Sequence, residues 1–347
     1  MNFGLSVDQR EIQNTARALL EARFSSQRVR ELIESTDYDH AVWQEVVELG
    51  WPGIAASSEL GGAGLGMVEL VVLQEELGRS LAPLPFLSVA AAALLIEAAG
   101  SRTQQERWLP PLLAGEARGA VGIAHAGVAP LVMDAVGASF VILVEGTGAH
   151  IYDTESLLVT PRPTIDLTRR FARVDVRGAG EPLDGDVAAA LDRVLVAVAA
   201  DSVGCAQRAL EMSVTYAGER RQFGQPIGAF QAVAHRCAQM LLETESARSA
   251  TYHAAWAADH DPPALSLAAP RAKAYSSDAG WRVPASSVQV HGGIGFTWEH
   301  DAHLVLKRGK LDAELFGSAR SHRERIGLAL AHELVTTSPN TSTDREG

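Results

Sequence analysis

The chain has 347 residues, 47% of them hydrophobic, and a formal net charge of −12. That is enough apolar material for one large core or a few ordinary ones. Acidic and basic residues interleave without runs of like charge, which excludes the electrostatic footprint of a nucleic-acid or acidic-membrane binder.

Cys205 and Cys237 are the only cysteines, and both lie in apolar helical patterns. They predict buried thiols in a reducing compartment, hence a cytoplasmic protein, rather than a disulfide or metal framework. The first residues carry Asp8 and Glu11, unlike a secretory signal, and no apolar run reaches the length of a membrane span. Residues 336–347 are polar without an apolar period and predict a disordered tail.

In chain order, one helix is read from Ser6 to Leu32, where Val7, Ile12, Ala16, Leu19, Leu20 and Phe24 recur at helical spacing behind Ser6, a suitable N-cap. A second helix carries Trp43, Val46 and Val47 and ends at Gly50-Trp51-Pro52-Gly53. The glycines of residues 59–66 do not fall in the dinucleotide-binding order and follow no long strand, so they predict a connector. Helices follow over 67–78, 85–99 and 103–113. Composition then changes: residues 121–124, 140–144, 149–152, 157–159 and 171–176 are short β-type runs between turn residues, predicting a small antiparallel β domain of about five strands. From Val187 the helical period returns, broken near Asp261-Pro262-Pro263 and at residues 291–295. The predicted fold class is mainly α with a small β domain: a helical domain over 1–118, a β domain over 119–186 and a helical bundle over 187–335. No repeat with a fixed period is present.

Four stretches could carry chemistry. In residues 216–231, Arg220 and Arg221 stand beside Phe223 at a helix end, which suits a phosphate and a flat ring but equally a capped helix with a solvated face. In 289–297, Gln289 precedes Gly292, Gly293 and Gly295, which would let backbone approach a ligand or simply end a helix. Glu299, His300, Asp301 and His303 could gather on a metal, but without a recognised ligand order a charged helix N-terminus is the better account, and no metal is assigned. Asp192 and Arg193 read as a charge feature near a helix start.

Taken in order, Glu219 through Ile227 with Phe230-Gln231, then Gln289-x-His291-Gly292-Gly293-x-Gly295-Phe296, resemble the acyl-CoA dehydrogenase family. Gly61-Gly62-x-Gly64 followed by Glu75-Glu76-Leu77-Gly78-Arg79 is similar to that family too. The likeness covers most of the chain and has the same α, β, α order. It implies an oligomer in which Arg220, Gln222, Phe223, Gln231, Gln289, Gly292 and Gly293 hold the ADP portion of an FAD seated mainly in a neighbouring subunit.

The departures from the family are as informative. Desaturating an acyl-CoA needs a positioned carboxylate base. Counting from Gln289 at the family's spacing lands on Phe316, which cannot take a proton; Glu314, two residues away, would face another side of any regular element. Some relatives place the base where this chain has Asp192, one methylene short. The family's flavin-ring segments of the β domain are also missing between Gly122 and Gly137. A chain with this pattern resembles the short subunits of actinobacterial α2β2 acyl-CoA dehydrogenases acting on bulky, including sterol-derived, thioesters. There the partner chain supplies the base, so no catalytic residue is assigned here. The rival readings are a self-sufficient homotetramer using Asp192, a non-catalytic paralogue and a flavin monooxygenase.

Overall fold

A computed structural model describes residues 4–35 and 37–337. The N-terminal helices are α1 (Val7–Arg23), α2 (Ser26–Glu34), α3 (His40–Glu48), α4 (Met67–Arg79), α5 (Phe86–Ala99) and α6 (Arg102–Leu113). Ser6 closes a capping box with Gln9, as its position predicts. The helical pattern divides where Phe24 leaves helical geometry and Ser25 caps α2. Helix α5 is apolar on every side and is buried nearly throughout, as a helix at the centre of the molecule must be.

The middle of the chain is β1 (Gly119–Ile123), β2 (Val128–Met133), β3 (Phe140–Glu145), β4 (Gly148–Asp153), β5 (Leu157–Arg162), β6 (Phe171–Val176) and β7 (Glu181–Leu183). They form a 4-stranded sheet in the order β1-β3-β4-β7 and a 3-stranded sheet in the order β2-β6-β5. Two strands exceed the sequence reading, and both contain a proline, which weakens the strand signal. In β2, Pro130 falls where the ladder shifts register between Ala129 and Val132. Pairing is antiparallel except between β1 and β3, which run parallel because the chain crosses to the second sheet for β2 and returns.

Three long helices follow, α7 (Val187–Glu219), α8 (Gln231–His260) and α9 (Pro262–His291), with α10 (Ala302–Asp312) and α11 (Ala319–Thr337) behind them. Helix α9 starts at Pro262, directly at the break read near Asp261-Pro262-Pro263, because Pro262 and Pro263 occupy its first turn, where a missing N–H costs nothing. Helix α11 continues through Thr337; the rest of the expected tail lies outside the described residues. Cys205 is buried and Cys237 only half-buried; neither forms a disulfide.

Small residues let these helices touch backbone to backbone. A Cβ on Gly309 would lie 1.8 Å from the Gly280 carbonyl oxygen, and one on Gly204 would lie 2.1 Å from that of Glu75. The acidic motif of α4 is a clamp on its neighbours: Glu75 pairs with Arg248 at 3.0 Å, Glu76 with Arg17 at 2.6 Å, and Arg79 with Glu211 at 3.0 Å. No described helix is long and apolar enough to cross a membrane.

Candidate functional site

The end of α7 leads into a tight hairpin, β8 (Arg221–Gln222) and β9 (Gln225–Pro226), closed by Phe223 and Gly224. Phe223 has φ 53 and Gly224 φ 83. A two-residue turn with both central residues left-handed normally takes Asn-Gly; a bulky aromatic there is strained by about 1 kcal/mol or more. The ring is 92% exposed and meets only Phe230 edge-on, at 6.1 Å between centroids. Burial in this chain therefore cannot explain why an aromatic sits at the tip.

Arg220 follows the end of α7, its amide bonded to Tyr216 O and its carbonyl accepting from Ile227 N, so the backbone is fixed while the side chain is exposed. Among the described residues neither Arg220 nor Arg221 has an ion-pair partner. Gln222 and Gln231 are exposed too.

The second motif lies at the same end of the α7–α9 pair. Tyr216 stacks on His291 with centroids 4.6 Å apart, and Ser213 Oγ donates to Ser287 Oγ at 2.8 Å one turn below. This joins the end of α7 to the end of α9, so Gln289, Gly292 and Gly293 are exposed close to where the hairpin begins. A Cβ on Gly292 or Gly293 would meet nothing within 4 Å, and Gly292 has φ 63, so this backbone faces open space in a conformation that favours glycine. The two motifs share one face that is polar, glycine-lined and rich in unpaired guanidinium. That chemistry fits a pyrophosphate with an adjoining flat ring.

Three of the four residues considered for a metal are engaged otherwise. His300 Nδ1 accepts from Ala302 N at 3.1 Å and so helps start α10; Asp301 binds Arg30 at 2.5 Å and accepts from Ser26 Oγ at 2.7 Å; Glu299 accepts from the Thr297 side chain. His303 packs edge-on against Trp298, with its buried Nε2 left without a hydrogen bond among the described residues. Asp201, Cys205 and Asp312 have metal-like spacing, but Arg308 and Arg169 already face their carboxylates.

Asp192 does not act on a helix dipole as its position suggested. Asp186 caps α7, and Asp192 is buried one turn further on, where both oxygens take the Arg325 guanidinium of α11 at 2.6 and 2.7 Å. Burial raises its carboxyl above the usual range, with Arg325 opposing.

A cavity of about 210 Å³ lies between β1, β2 and residues 314–317. Val121, Gly122, Leu131 and Met133 form one wall, and Glu314, Leu315, Phe316 and Gly317 the other. Phe316 and Gly317 have φ 54 and 109, so the segment is a left-handed turn. The side-alternation argument against Glu314 therefore does not hold: it lines the same cavity as Phe316. Its carboxylate is exposed and lies 3.4 Å from Lys310 Nζ.

The sequence reading missed a buried charge network. Arg308 Nε and Nη2 donate to Asp201 at 2.9 and 2.7 Å, Gln74 Nε2 donates to Asp201 at 2.6 Å, and Arg169 lies 2.6 Å from Asp312 and binds Asp166 at 2.6 Å. Burial raises Asp201, but Arg308 and Arg169 outweigh it and hold the carboxyl ionised; for Asp312 burial wins over Arg169 and pushes the carboxyl well up. The available signal was Asp201 standing among Ala199, Ala200, Ser202 and Val203, a charge in an otherwise apolar run.

Comparison with known proteins decides the family. Residues 6–116 match the acyl-CoA dehydrogenase N-terminal domain and residues 187–331 its C-terminal domain. The chain belongs to the acyl-CoA dehydrogenase family. Members of this family are FAD-dependent oxidoreductases acting on CH–CH donors. The chain is 34% identical to acyl-CoA dehydrogenase IpdE2 of Mycolicibacterium smegmatis, covering 93% of this chain and 98% of that one. Its fold matches a structure described as the Tcur3481-Tcur3483 steroid ACAD G363A variant, with TM-score 0.87 and 27% identity over 94% of this chain and 99% of that one. It also matches the ChsE4-ChsE5 complex of Mycobacterium tuberculosis, with TM-score 0.86 and 26% identity over 95% and 99%.

Proposed function

We propose that this chain is one subunit of a heteromeric FAD-dependent acyl-CoA dehydrogenase that desaturates the α,β bond of a bulky, sterol-derived acyl thioester. Its part is to hold the ADP half of an FAD seated mainly in a paralogous partner. The carrying observation is the exposed, strained Phe223 beside the unpaired Arg220, on one face with the open backbone of Gly292 and Gly293.

Arg220 binds the pyrophosphate as a charge-assisted donor, Gln222 and Gln231 add neutral hydrogen bonds, and Phe223 covers a ring face. Gln289, Gly292 and Gly293 close on the phosphates from α9. When bound, FAD accepts the hydride that leaves the β-carbon. The α-proton needs a base; at the family position this chain carries Phe316, and the neighbouring Glu314 carboxylate is exposed and lies 3.4 Å from Lys310 Nζ, so this reading assigns the base to the partner. The two-chain relatives, one described as a steroid ACAD, support both the partner and the substrate class. The unpaired cysteines suit a cytoplasmic location.

Purified alone, the chain will be nearly colourless and inactive; co-expressed with a paralogous partner it will be yellow and active. Full activity of the single chain overturns the proposal. The homotetramer reading assigns the base to Asp192, whose oxygens are both held by Arg325. Accordingly Asp192→Asn will leave turnover of the active complex unchanged while lowering its melting temperature; a large drop in kcat with unchanged folding would restore Asp192 as the base.

A further inference from the structure

Lys273 of α9 has no exposed surface, and neither the family motifs nor the proposed cofactor contacts use it. Its ammonium donates to Ser277 Oγ at 2.8 Å and to three main-chain carbonyls: Asp312 at 3.0 Å, Gly317 at 3.1 Å and Ala313 at 3.4 Å. Asp312 is the last residue of α10 and Ala313 its C-cap, where terminal carbonyls lack intrahelical partners. Gly317 O lies across the left-handed turn from them. One side chain thus ties both ends of the segment whose residues 314–317 form a wall of the 210 Å³ cavity.

We propose that Lys273 is a positioning residue that sets the wall of this cavity, holding the Phe316–Gly317 turn against β1 and β2 through its three carbonyl bonds. The role stands apart from the FAD reading, since it concerns the chain before any cofactor or partner is added. It answers a specific need. The turn has little regular hydrogen bonding of its own: Leu315 N reaches Leu311 O at 3.2 Å and Gly317 N reaches Glu314 O at 3.3 Å. Without the ammonium, the Asp312 and Gly317 carbonyls lose a buried charged donor, and the strained backbone at Phe316 keeps His322 as its other side-chain restraint.

The clamp is also pH-sensitive. Burial pulls Lys273 down to about 8, against the opposing pull of Asp312 on α10 and Glu314 in the turn. His322 on α11, brought down to about 4 by burial and by Lys273, is neutral throughout this range and adds no charge. Above about pH 8 the ammonium becomes a neutral amine; Ser277 Oγ can donate to its lone pair, and two uncharged N–H groups remain for three carbonyls, so the clamp slackens. Global stability moves the other way. Because the folded value lies below the ordinary 10.5, the unfolded chain binds more protons between the two, and stability rises with pH across that window. A lysine that merely filled space would not loosen the turn while the chain as a whole became more stable.

Hydrogen exchange on the full chain tests this. In Lys273→Met, the amides of residues 315–317 will exchange about tenfold faster or more while α7 keeps its protection. Unchanged exchange in the turn overturns the proposal. If that variant does not fold, the wild-type chain decides alone, in a series between about pH 7 and about pH 9.5 corrected for intrinsic exchange. Protection of residues 315–317 will fall severalfold as the pH passes about 8 while the urea midpoint rises. Protection that stays flat, or falls only together with the whole core, overturns it.

Discussion

Arg308→Met will destabilise the chain by about 3–5 kcal/mol, read as a lower urea midpoint at an unchanged m-value. Arg308 is buried and reaches three parts of the fold at once: Asp201 on α7, Ala82 O after α4 at 3.1 Å, and Thr168 Oγ1 beside the β domain at 3.3 Å. Removing it leaves Asp201, itself without exposed surface, with Gln74 and the Asp312 carboxyl as its hydrogen-bond donors and Arg169 no closer than 3.5 Å. The cost comes from stranding a carboxylate that stays ionised in the folded chain, since burial alone would have raised it and Arg308 is the largest opposing pull. Exposed pairs such as Arg320–Glu324 contribute little because water screens them, and their removal serves as the control. A loss below about 1 kcal/mol for Arg308→Met would mean that water or a rearranged Arg169 replaces it.

On the proposed function, Arg220→Ala in the complex with its partner chain will weaken FAD binding about ten- to a hundredfold, the equivalent of one charge-assisted phosphate contact. The exposed side chain has no ion-pair partner among the described residues, so the apo chain will melt as the wild type does. The readout is the fraction of flavin that survives gel filtration, with apo stability measured in parallel. A variant that keeps its flavin would move the phosphate contact away from this hairpin. One that loses flavin and melts early would mark Arg220 as structural.

How much of this was readable before folding depends on the range of the interaction. Helix starts and stops were legible because they are local: Ser6 caps α1, Pro262 opens α9, and the Phe223-Gly224 turn breaks the chain between α7 and α8. The family motifs are likewise short segments, so Arg220, Phe223, Gln289 and the glycines stood out, as did phenylalanine at position 316. Strand β2 was not legible, because Pro130 and a register shift mask its alternation. The parallel pairing of β1 with β3 depends on where the chain crosses between sheets, which no local pattern encodes.

By itself, then, the sequence determined the order of helical and β segments, the family motifs and the phenylalanine at position 316. Only the tertiary structure decided what the isolated charges do. Asp192 meets Arg325, Asp201 meets Arg308, and Lys273 meets the carbonyls of Asp312 and Gly317, each across a long stretch of chain. A charge in an apolar run announces that it needs a partner, because burying it alone costs too much. Which partner it finds is set by helix packing, and that is a property of the whole chain.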